Sequence, residues 1–112
     1  MRIALPLTTG KLSTHFGHCE QFALIDVDDA QNTISGTEIV EAPQHEPGLL
    51  PQWLADRGVN VVIAGGMGMR AQTLFAAHDI DVAVGAPAED PEALALAYAN
   101  GKLEGGLNIC DH

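Results

Sequence analysis

Val59-Asn60-Val61-Val62-Ile63-Ala64-Gly65-Gly66-Met67-Gly68 is the stretch that decides the fold of this chain. Its first six residues are almost all apolar and mostly β-branched, the composition of a strand covered on both faces. A four-residue glycine-rich turn follows. Met69 to His78 then reads as a helix that buries Leu74 and Phe75. A buried strand that passes through a tight turn into a helix is the unit of a parallel sheet flanked by helices.

Working outward, Ile80 to Val84 is another strand. Asp90 is a good N-cap with Pro91 at the first helical position, and that helix runs through Tyr98 to a stop at Asn100-Gly101. Upstream, Leu49, Leu50, Trp53 and Leu54 follow helical spacing from Leu49 to Arg57, and Gly58 ends the run. Arg2 to Leu7 is a short apolar strand closed by Thr8-Thr9-Gly10. Gln21 to Asp28 and Thr33 to Val40 flank the polar segment Asp28 to Asn32, which predicts an antiparallel hairpin. The order is β-β-β-α-β-α-β-α. It predicts one α/β domain over residues 1–112, a mixed five-stranded sheet flanked by helices.

Five basic residues stand against fifteen acidic ones, a net charge of −10. With no cluster of Lys or Arg to offset it, that balance repels phosphate backbones, so no nucleic-acid partner is expected. No apolar run approaches the ~20 residues of a membrane span. The N-terminal run is too short for a signal peptide. The expectation is a soluble, cytoplasmic monomer with no membrane partner. In that compartment two distant cysteines are usually reduced, so a Cys19–Cys110 disulfide is the lesser reading.

Chemistry-bearing residues gather in two short segments. His15-Phe16-Gly17-His18-Cys19 and Cys110-Asp111-His112 hold both cysteines and three of the five histidines. Thiolate and imidazole bind zinc, copper and metal-sulfide clusters. Buried structural thiols are the alternative. If the first and fourth strands are parallel neighbours, the loops leaving them converge at a topological switch point, where open α/β sheets bind ligands. The loop after the third strand, with His45, leaves the same edge. Gly65 to Gly68 opens a helix, so its amides and the helix dipole favour an anion. The spacing is neither GxGxxG nor a P-loop, and glycines that merely let strand and helix pack remain the competing reading. The tail from Lys102 to His112 spans up to ~36 Å when extended, long enough to reach back to that edge. Nothing in the sequence requires it to, so Cys110 and His112 are weaker candidates than Cys19 and His15. His78 at a helix C-terminus complements the dipole.

Catalysis is poorly supported, and no enzyme is expected. No Ser-His-Asp pattern can be placed. Asp28 and Asp29 fall in a turn where Asp is common for backbone reasons, which weakens a magnesium site with Asp26. Met67 and Met69 read as packing residues rather than copper ligands.

Met1-Arg2-Ile3-Ala4-Leu5-Pro6, His15-Phe16-Gly17-His18-Cys19 followed by Phe22, and Val61 to Gly68 together resemble the dinitrogenase iron-molybdenum cofactor biosynthesis family. That family includes NifX, the cofactor-binding domain of NafY, the C-terminal domain of NifB and the orange protein, which carries a molybdenum-copper-sulfide cluster. The resemblance covers essentially the whole chain. It implies a ribonuclease-H-like fold without nuclease activity that binds or carries a metal-sulfide cluster of Mo/Fe or Mo/Cu type. It maps His15, Phe16, Gly17, His18, Cys19 and the loop Gly65, Gly66, Met67, Gly68 onto the cluster-binding edge. Candidate metal ligands are Cys19, His15, His18, His45, Cys110 and His112. A cofactor-donor or acceptor protein is the implied partner. A simple zinc or copper site and a nucleotide- or anion-binding module remain the alternatives.

Overall fold

The computed structural model describes residues 1–13, 19–28, 30–43 and 48–103. In chain order these form β1 (Arg2–Thr8), β2 (Lys11–Leu12), β3 (Gln21–Asp28), β4 (Thr33–Glu41), α1 (Leu49–Ala55), β5 (Val61–Ile63), α2 (Met69–Ala77), β6 (Asp81–Ala83) and α3 (Pro91–Ala99). One mixed sheet runs in the order β4-β3-β1-β5-β6, with β2 paired to β1. β1 is antiparallel to β3, and β3 to β4, whereas β1, β5 and β6 are parallel neighbours. The predicted element order is therefore found, and the first and fourth predicted strands do lie side by side.

The count of five strands needs one correction. Thr9 (φ 53°) and Gly10 (φ 83°) make a two-residue reversal that folds Lys11 and Leu12 back onto Thr8 and Leu7. Both turn residues have positive φ, as the tight hairpin turn requires. A two-residue strand has no periodicity of its own, so Thr8-Thr9-Gly10 reads only as an end.

Val61, Val62 and Ile63 are all buried because both faces of the sheet are covered. On one face Ile3, Leu5, Ile25 and Ile63 pack with Leu94 and Ala95 of α3. On the other Ala4, Phe22, Leu24 and Val62 pack with Leu54 of α1 and Phe75 of α2. Phe22 also meets the Trp53 ring at 5.6 Å, and the Arg57 guanidinium caps that ring at 3.8 Å. Met69 departs from expectation: as the first residue of α2 it lies outside the stripe that buries Phe75, and it is 56% exposed.

Local chemistry sets the boundaries. The Asp28 carboxylate accepts hydrogen bonds from the Ala30 and Gln31 amides, which holds the β3–β4 turn, while Asp26 pairs with Arg2 at 2.9 Å. Both carboxylates therefore have structural roles, and Asp29 lies outside the described residues. Asp90 caps α3 by accepting from the Ala93 amide at 3.2 Å. Asp90→Ala is expected to cost about 1 kcal/mol, the usual loss for a deleted cap. A thermal melt checks this, since about 1 kcal/mol lowers the midpoint of a domain this size by roughly 4 °C.

Candidate functional site

The C-terminal ends of β1, β4, β5 and β6 share one edge of the sheet, as their pairing directions require. The chain leaving β1 turns one way, toward β3, and the chain leaving β5 passes through α2 to β6 on the other side. This is the switch point at which open α/β sheets leave a crevice. Pro6 sits beyond Ala4–Val62, the last described β1–β5 pair, where the ladder to β5 has already ended.

Two backbone bonds fix the segment entering β3 on this edge. The Glu20 amide donates to the Leu7 carbonyl at 2.9 Å, and the Ala42 amide donates to the Glu20 carbonyl at 3.1 Å. Cys19 is thereby held beside the ends of β1 and β4. Its half-buried thiol is free and packs against the core cluster that contains Phe22, Ala64 and Met67. Burial pushes the thiol up to about 11, so at neutral pH it is a protonated, neutral group. Thiolate population falls ~100-fold when a thiol moves from 9 to 11, and higher nucleophilicity recovers part of that. In a Cys110→Ser background, alkylation of Cys19 at pH 7 is expected to run about tenfold slower in the folded chain than in urea. Equal rates in the two states would contradict the burial.

The second half of the edge is the loop between β5 and α2. Its carbonyls are engaged: Gly65 O accepts from the Gly85 amide at 2.9 Å, Met67 O from Gln72 Nε2 at 2.8 Å, and Gly68 O from the Gln72 amide at 3.1 Å. Among the described residues no hydrogen bond takes the amide N–H of Gly65, Gly66 or Gly68. α2 itself has no side-chain cap and no acidic residue in its first turn. The contrast with the Asp90-capped α3 is direct. A helix start with open amides and a positive dipole end attracts an anion. Arg70, exposed in the first turn, adds a positive charge there. Gln72 holds the loop at Met67 and was not singled out from the sequence. Its signal is an amide side chain four residues after the last glycine.

The fate of the predicted site residues divides cleanly. Cys19, Gly65, Gly66, Met67 and Gly68 are described and lie on the one edge. Met67 is 1% exposed, so its side chain packs in the core and the loop offers backbone. His15, Phe16, Gly17, His18, His45, Cys110 and His112 lie outside the described residues. His78 is the C-cap of α2. Among the described residues no group of three His, Cys, Asp or Glu side chains stands together to hold a metal ion, and no helix is long and apolar enough to cross a membrane.

Comparison with known proteins bears on what such an edge is for. A family model described as dinitrogenase iron-molybdenum cofactor matches residues 1–101. An uncharacterized protein of Methanocaldococcus jannaschii is 34% identical over 109 residues, covering 93% of this chain and 90% of that one. Among solved structures, PH0822 superposes with a TM-score of 0.82 at 30% identity, covering 93% of each chain. The apo form of the orange protein from Desulfovibrio gigas superposes with a TM-score of 0.71 at 23% identity, over 96% of this chain and 93% of that one. That last likeness is one of fold.

Proposed function

The chain belongs to the dinitrogenase iron-molybdenum cofactor family, and we propose on that premise that it binds and carries an anionic metal-sulfide cluster. The observation that carries this reading is the start of α2, which has no side-chain cap and whose Gly68 amide takes no hydrogen bond among the described residues, on the same edge as the Cys19 thiol. Amides suit the sulfide face of a cluster, and a soft thiolate suits one of its metals. The cluster is cargo, of iron-molybdenum or molybdenum-copper type. Cys19 supplies one metal bond, and His15, His18 and His45 supply further ligands from the loops that leave the same edge. Cys110 and His112 would add to the set from the tail, beyond the residues the family model matches. Beyond these metal–ligand bonds the protein does no chemistry on the cluster. It holds the cluster and exchanges it with a donor or acceptor protein.

Charge gives this reading a testable sign. At −10 the chain repels an anion over long range, so binding must come from amides and the metal–thiolate bond at contact distance. Salt screens the repulsion more than those contacts. Anaerobic reconstitution with tetrathiomolybdate and cuprous ion should give one cluster per chain that survives desalting, taken up more tightly at 0.5 M salt than at 0.05 M. Loss of all molybdenum on desalting, with zinc retained one per chain, would replace the reading by a simple metal site.

A further inference from the structure

The long open edge of the sheet is β4. Thr37, Glu38, Ile39 and Glu41 are exposed along it, and Ile39 is 49% exposed. The register irregularity against β3 falls at Asp26/Val27, near the turn, so the pairing from Thr37 to Glu41 is regular. Natural edge strands are commonly blunted by charges, lysine above all, by proline or by a bulge. This stretch has no lysine, proline or bulge, and its charges, Glu38 and Glu41, are negative. No Lys or Arg lies in the sequence between Leu12 and Asp56. Glu92 of α3 adjoins the strand as well, accepting from the Thr37 hydroxyl at 2.8 Å. The strand ends on the ligand edge, where the Ala42 amide bonds the Glu20 carbonyl next to Cys19.

We propose that the outer edge of β4 from Thr37 to Glu41 receives an extended, lysine- or arginine-bearing segment of the protein that gives or takes the cluster, added as a further strand. Strand addition supplies backbone hydrogen bonds, and the carboxylates select a basic partner. A second copy of this chain is a poor occupant, because Glu38 and Glu41 of each strand would face those of the other. Arg2, which interacts with Glu38 across the sheet, is already paired with Asp26. The identity of the partner as a cluster-exchanging protein rests on the function proposed above. The docking itself does not, and it is read without any cluster present.

The test uses the full chain and a nine-residue peptide alternating lysine and valine, followed by backbone amide NMR at low salt. A second peptide of the same charge, N-methylated at alternate residues, cannot pair with an edge. Saturable shifts confined to β3 and β4 are expected, with the methylated peptide at least ~10-fold weaker. Ile39→Lys and Glu38→Lys, both at exposed positions, should each weaken the unmodified peptide while leaving the spectrum of the free chain folded. Equal binding of the two peptides, shifts that avoid β4, absence of binding, or a doubling of mass without peptide would each overturn the proposal. Loss of cluster uptake with peptide binding intact would count against the cargo and not against this edge.

Discussion

Gly68→Asp is expected to leave the melting temperature unchanged or slightly raised and to abolish cluster uptake. Gly68 is the N-cap of α2 with φ −66° and ψ 157°, extended geometry that any residue adopts. An aspartate there caps the helix and meets its dipole, which should add about 0.5–1 kcal/mol of stability. The same carboxylate occupies the amides proposed for the cluster. Two negative charges ~4 Å apart at an effective dielectric of ~20 repel by about 4 kcal/mol, close to a thousandfold in affinity. Gly66 would not separate the two effects, because it is buried and a carboxylate there burdens folding too. Thermal melts beside tetrathiomolybdate reconstitution make the comparison. A Gly68→Asp protein that folds and still takes up cluster at full affinity would remove the loop from the site.

Cys19→Ser should have the next largest effect. Serine keeps the size and hydrogen bonding of cysteine but lacks the soft thiolate that binds these metals. Loss of an outer-shell partner alone costs a metal site about 10–100-fold, so removal of a direct ligand should exceed ~100-fold. The buried thiol also sets a pH dependence. Because burial holds it up at about 11, it must lose a proton on binding at any pH below that value. Apparent affinity should therefore rise about tenfold per pH unit across pH 6–9 from this group. In Cys19→Ser that slope should fall by one proton. Metal content after gel filtration across that pH range checks both expectations, and full occupancy with an unchanged slope would show that Cys19 is not a ligand.

The fold was legible where burial and turn chemistry agree. Val61 to Ile63 reads as a doubly covered strand because its apolar run is continuous, and Asp90-Pro91 announces α3 because cap and first-turn chemistry are local. β2 was not legible, since two residues carry no period and its existence depends on positive φ at Thr9 and Gly10. Met69 misled because apolar character alone does not say which side of a helix start faces the sheet. Of the site, the convergence of loops follows from strand order, and Cys19 takes its expected place on the edge. The missing cap of α2 is also written in the chain, as Gly68 where Asp90 stands in the corresponding place of α3. The tie from Gln72 to Met67 was not legible, because it depends on a side-chain amide turning back onto the loop. His15, His18, His45, Cys110 and His112 rest on the sequence and the resemblance alone.

Elemental and sulfide analysis of untagged protein purified without oxygen tests the central claim most directly. A coloured protein is expected, in which molybdenum or iron is accompanied by acid-labile sulfide and lost together with it on acidification. Colourless protein holding one zinc per chain and no sulfide would contradict it.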